Sequence, residues 1–94
     1  MTGTSAIAQA EAIGRACVTS EVRRRVCSGE AADNGEAYLD ITRECALDSD
    51  AEIWGAEVLR SLRWRVGADV PATLVTAALV AYRDWAHSCL EAWD

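Results

Sequence analysis

The stretch PATLVTAALVAYRDWAHSCLEAW, residues 71–93, decides the fold. Residues 71–82 carry no charge, so a helix built from them can turn a polar side to water only at Thr73 and Thr76. Most of its circumference therefore needs cover from neighbouring elements. Gly67 precedes the stretch, and Pro71, the sole proline, suits the first helical position, where its missing N–H would have no intrahelical partner. Further on, Arg83, Asp84, His87, Ser88, Glu91 and Asp94 restore a wet side, while Trp85, Ala86, Cys89, Leu90 and Trp93 continue the dry one.

Working back from this helix, residues 50–66 read as a second long helix ended by Gly67. Ser49 and Glu52 have the spacing of a capping box, and the acids of the first turn suit the helix dipole. On a helical wheel Ala51, Gly55, Val58, Leu59, Leu62 and Val66 share a core face with Trp54 at its margin, whereas Ile53, Glu57, Arg60 and Trp64 lie opposite. Large apolar groups beside arginine on a solvent side have the composition of a protein-contact anchor. A shorter helix is expected over residues 36–46, where Ala37, Tyr38, Ile41 and Cys45 recur at helical spacing after the turn-forming EAADNG. Over residues 5–27, Ala6, Ala10 and Gly14 fall at four-residue spacing with Ile7, Cys17, Val18 and Val22 nearby, a small-residue face on which the apolar helix can dock closely. Thr19 and Ser20 leave open a break into two helices there.

The expected architecture is all-α, a single domain over residues 1–94 with about four helices packed around the long C-terminal apolar helix. Composition agrees: 51% of residues are apolar, much of this alanine, and no run of alternating β-branched residues bounded by turns suggests a strand. All nine basic residues are arginine, which we attribute to coding bias rather than charge design. The longest uncharged run falls well short of the roughly 20 residues of a membrane span, and the N-terminus lacks the basic start and apolar core of a secretory leader. The expectation is a cytoplasmic protein that does not engage a membrane. Cys17, Cys27, Cys45 and Cys89 show no C-x2-C pair, and Cys17 and Cys27 on one helix would stand about 15 Å apart, beyond disulfide reach. Small core residues are the expected role for the four, with a single disulfide as the alternative.

Charge supplies the functional expectation. The net charge is −6, yet residues 30–57 alone hold nine acids against Arg43, while residues 1–29 balance at +2 and residues 58–94 at zero. Glu36, Asp40 and Glu44 form a stripe on one helix side, and like charges at this spacing weaken the helix unless a basic surface covers them. Arg23, Arg24 and Arg25 are the basic cluster able to neutralise part of it, within the fold or across a dimer. With so little positive charge, direct nucleic-acid binding is not expected. The preferred expectation is a non-enzymatic module that binds a basic protein target. In its sharper form it is a small inhibitor of the phage type directed against CRISPR or restriction effectors, laying carboxylates where phosphates would sit. Glu36, Asp40, Glu44 and Glu57 would supply charge, Ile53 and Trp64 apolar anchors and Arg60 a flanking contact.

Catalytic patterns are sparse. His87 is the lone histidine, and two residues from Cys89 it would point elsewhere on a helix, so no Cys–His dyad is expected. Asp48, Asp50 and Glu52 imitate the start of a calcium loop, but Ile53 and Leu59 stand where its glycine and final glutamate belong, and neither a metal nor a cofactor is expected. The Asp48-Ser49 pair at a helix start resembles the attachment site of acyl carrier proteins, which would imply modification at Ser49. In that family a glycine-containing turn precedes the serine and an apolar residue follows, whereas here Ala46 and Leu47 precede it and Asp50 follows. A structural homodimer or assembly subunit is the remaining alternative.

Overall fold

The computed structural model describes residues 5–93 as five helices with no strand among them: α1 (Ala6–Ser28), α2 (Asn34–Leu47), α3 (Ala51–Trp54), α4 (Ala56–Val66) and α5 (Ala72–Ala92). The all-α expectation holds. α5 touches α1, α2 and α4, and α1 lies along it more extensively than any other pair in the bundle.

That pairing follows from Gly14. A Cβ there would collide with the carbonyl of Ala78 on α5, so the absence of a side chain lets the two backbones come into contact. Ala10, Gly14, Cys17, Val18 and Val22 form the buried face of α1, opposite Leu74, Ala78, Tyr82 and Ala86 at helical spacing on α5. α1 runs unbroken through Thr19 and Ser20, capped by Ser5, whose hydroxyl accepts from Ala8 N, and closed by Gly29 in the left-handed conformation at φ 85°. α2 starts on Asp33, whose carboxylate accepts from Glu36 N at 2.8 Å, and buries Ala37 and Ile41. Trp93, just past the end of α5, lies over Gly35 and meets Tyr38 edge-on at 6.2 Å between centroids.

Three expectations need correction. The helix foreseen over residues 50–66 divides at Gly55 into α3 and α4: Gly55 leaves helical geometry at φ −101° and ψ 13°, and Leu79 of α5 occupies the space its Cβ would fill. Ser49 does not cap it: Asp50 accepts from Glu52 N at 3.0 Å, while Asp48 accepts from Asp50 N, so a carboxylate that also favours the helix dipole takes the cap one residue later. Pro71 is the N-cap rather than the first helical residue, with Leu74 and Val75 N–H groups returning to its carbonyl. The expected covering of α5 holds: within residues 72–82 most positions are buried or half-buried, and the exposed ones are Ala72, Thr73, Thr76 and Val80. Further along, Arg83, Asp84 and His87 face solvent, and Trp85 and Trp93 keep exposed edges.

The α1–α5 contact makes a direct prediction. Gly14→Val must separate two backbones in contact, and should lower unfolding free energy by about 2–3 kcal/mol in urea titration followed by circular dichroism. Ala12→Val on the exposed side of α1 should stay within about 0.5 kcal/mol of the wild type in the same titration.

Candidate functional site

Between the C-terminal end of α2 and the α3–α4 segment lies an open cleft of 630 Å³. α1 contributes Glu21 and Arg25 to it, α5 contributes Tyr82, α2 contributes Glu44, Leu47 and Asp48, and the facing wall carries Ile53, Trp54, Glu57 and Arg60. Trp54 stacks on Tyr82 with centroids 6.0 Å apart and ring planes 17° apart, and its indole N–H donates to the Asp48 carbonyl at 3.1 Å. This pair ties the bend between α2 and α3 to the hub. Tyr82 is nearly fully buried, and that burial raises its phenol well above the ordinary value, so it stays protonated.

Arg25 organises the charged part of the cleft. Its Nε donates to Glu21 at 2.8 Å, and its two terminal nitrogens donate to both oxygens of Glu44 at 2.8 Å each. The Arg25 side chain is only 13% exposed while that of Glu44 is 47% exposed, so the bidentate pair is shielded at its guanidinium and open to water at its carboxylate. Arg24 in turn donates to Glu21 and Glu30. Two arginines of the basic triplet are therefore consumed by carboxylates of the same chain.

This rearranges the expected binding set. Glu44 is neutralised by Arg25, which leaves Glu36 and Asp40 as the members of the stripe with no ion-pair partner among the described residues. Ile53, Glu57 and Arg60 line the cleft with Glu44, whereas Trp64 lies beyond it, 88% exposed. Leu47 was missed: it is 86% exposed at the end of α2. Extending the wheel by one residue gives its direction, between Glu36 and Asp40 at about 100° per residue, but not its exposure. The arginine triplet is also not the sole basic cluster, because Arg60, Arg63 and Arg65 surround Trp64 on α4.

Nucleophilic and metal chemistry gain no support from the geometry. Burial raises the thiols of Cys17 and Cys89 and pushes Cys45 up to about 11, so these three are held as thiols, the unreactive form. All four cysteines are free; Cys17 is buried and Cys45 packs on the core, but Cys27 is exposed, contrary to a core role, because it falls on the outer side of α1 near its end. Cys17 Sγ lies 3.5 Å from Ser61 Oγ, a sulfur contact that joins α1 to α4. His87 is exposed, with Nε2 3.4 Å from Glu91. Ser49 occupies the exposed bend between α2 and α3. No group of three or more His, Cys, Asp or Glu placed to hold a metal ion occurs among the described residues, and none of the described helices is long and apolar enough to cross a membrane. No protein-family model, curated protein or solved structure matches the chain.

The ion-pair cluster predicts an acid-sensitive element of stability. The Arg24 hydrogen bonds, ahead of the opposing effect of burial and the further help of Arg25, hold the Glu21 carboxyl below the usual glutamate range of about 4.5. A depressed carboxyl stabilises the fold above its unfolded pKa, and this contribution disappears as pH falls through the folded value. Glu21→Gln should thus be less stable than wild type near neutrality, with the gap closing as pH falls below the usual glutamate range in urea titrations.

Proposed function

We propose that this chain is a non-catalytic protein-binding module that covers a basic surface of a target protein. In its sharpest form it is a small inhibitor that occupies a nucleic-acid-binding groove of an effector, such as a CRISPR or restriction nuclease, with carboxylates in place of phosphates. The observation that carries this reading is Leu47. A large apolar side chain stands almost fully in solvent within the line of Glu36 and Asp40, at the mouth of a cleft lined by four carboxylates and two guanidiniums.

Each part of that arrangement has a physical use. Leu47 and the 65% exposed Ile53 flank the cleft and bury apolar surface when a partner covers them, which supplies affinity. Glu36 and Asp40, with no ion-pair partner among the described residues, attract a basic surface from a distance and raise the rate of encounter. Glu44 contributes little to this attraction because Arg25 already holds both its oxygens. The partner's side of the contact is accordingly basic with an apolar insertion, such as an arginine- or lysine-rich segment bearing one aliphatic or aromatic side chain.

A photo-crosslinking amino acid in place of Leu47, introduced in the native host, tests the reading by covalent capture. The captured protein should present a basic surface at the crosslinked segment. With that protein purified, Glu36→Gln combined with Asp40→Asn should slow association about tenfold at low salt and flatten its salt dependence, leaving dissociation nearly unchanged. A crosslinked segment that is acidic, or an unaltered association rate in the double variant, would overturn it.

A further inference from the structure

Ile53, Glu57, Arg60 and Trp64 mark the side of the α3–α4 segment turned away from the core. At about 100° per residue the last three fall within an arc of about 60°, centred opposite Val58 and Leu62. Those two are fully buried, whereas Ile53 is 65% exposed, the Arg60 side chain 75% and Trp64 88%. Glu57, Arg60 and Trp64 lie on one continuous helix, and Ile53, across the bend at Gly55, joins them on the solvent side by its exposure. Gly55 N donates to the Ala51 carbonyl and Leu59 N donates to the Gly55 carbonyl, so hydrogen bonding runs on through the bend.

The order along this stripe is apolar, acidic, basic, apolar, at intervals of four, three and four residues. Read backwards, the intervals are the same and the two charges exchange places. The stripe is therefore complementary to its own reverse. Laid against a second copy about a two-fold axis between Glu57 and Arg60, it brings Ile53 against the second copy's Trp64 and Glu57 against the second copy's Arg60, and the converse. Parallel packing would instead oppose like charges at both central positions. Glu52 and Arg63, which share a shallow depression at one edge of the stripe, repeat the acid-then-base order. Antiparallel alignment also sets the helix dipoles favourably.

We propose that this face is the interface of a two-fold symmetric dimer of this chain, formed by two α4 helices packed antiparallel. Glu57 and Arg60 already pair at 3.0 Å within one copy, and the dimer extends that pair into a ring of four alternating charges capped at each end by tryptophan on isoleucine. The segment over residues 51–66 is about 24 Å long, which gives an interface on the order of 1,000 Å², at the lower limit for specific association. An interface of that size belongs to the weak, transient class, for which we expect a dissociation constant on the order of micromolar. Glu36 and Asp40 of α2 stay outside the contact, whereas Ile53, Glu57 and Arg60 also line the cleft, so a second copy and the basic target compete for that wall; the inference itself does not rest on the function proposed above.

Sedimentation equilibrium of the full chain between roughly 1 and 500 µM should show a monomer–dimer equilibrium with its midpoint inside that range. Trp64→Ala should weaken it at least tenfold. Glu57→Arg alone and Arg60→Glu alone should each do the same, since the first opposes guanidiniums across the axis and the second opposes carboxylates. Mixing these two single variants in equal amounts should restore association to near the wild-type constant, because the mixed pair regains both complementary contacts. Far-UV circular dichroism of each variant verifies that the exposed substitutions leave the helices intact. A wild-type chain that stays monomeric throughout, a dimer indifferent to Trp64→Ala, or a mixture no tighter than its separate components would overturn the proposal.

Discussion

The structure depends on how closely α1 approaches α5. At Gly14 the backbone of one helix rests on the backbone of the other at Ala78, and this contact draws the apolar faces of both into one core. The hub meets its other neighbours in a similar way: Leu79 fits against Gly55, and Trp93 lies over Gly35. Small positions on the surrounding elements thus determine where each one sits. A helix whose buried stripe alternates Leu74 and Tyr82 with the small Ala78 and Ala86 can form a core only if its neighbours come close enough to exclude water.

Close packing of α1 on α5 also positions the charged cluster. It places Arg25 beside Tyr82 and within reach of Glu44 on α2, so a cation of the first helix is satisfied by a carboxylate of the second. The acidic excess of residues 30–57 is divided by this contact. One part is held inside the fold by Arg24 and Arg25, and the other, on the outer side of α2, remains available to a partner. The Trp54–Tyr82 stack fixes the bend from α2 into α3 and so sets the width of the cleft between the two walls.

Much of the surface chemistry sorts along the α3–α4 segment. Its N-terminal end carries Asp50, Glu52 and Glu57, and its C-terminal end Arg60, Arg63 and Arg65, each sign matching the helix dipole at its end. The same ordering that stabilises the helix locally makes its outer face self-complementary when reversed. The acidic wall of α2 has no such symmetry, since its charges share one sign. Its complement has to come from a surface of different composition.

The helical class, the docking face of α1 and the outward direction of Ile53, Glu57, Arg60 and Trp64 were legible in the sequence, because 3.6-residue periodicity and glycine spacing are local properties of the chain. The division of Gly55 into a bend, the pairing of Arg25 with Glu44 and the exposure of Leu47 were not. Each depends on residues far apart in the chain: Leu79 against Gly55, a first-helix cation reaching a second-helix acid, and no described element lying over the end of α2. A wheel shows which way a side chain points from its own helix, and only the packed bundle decides what it meets there.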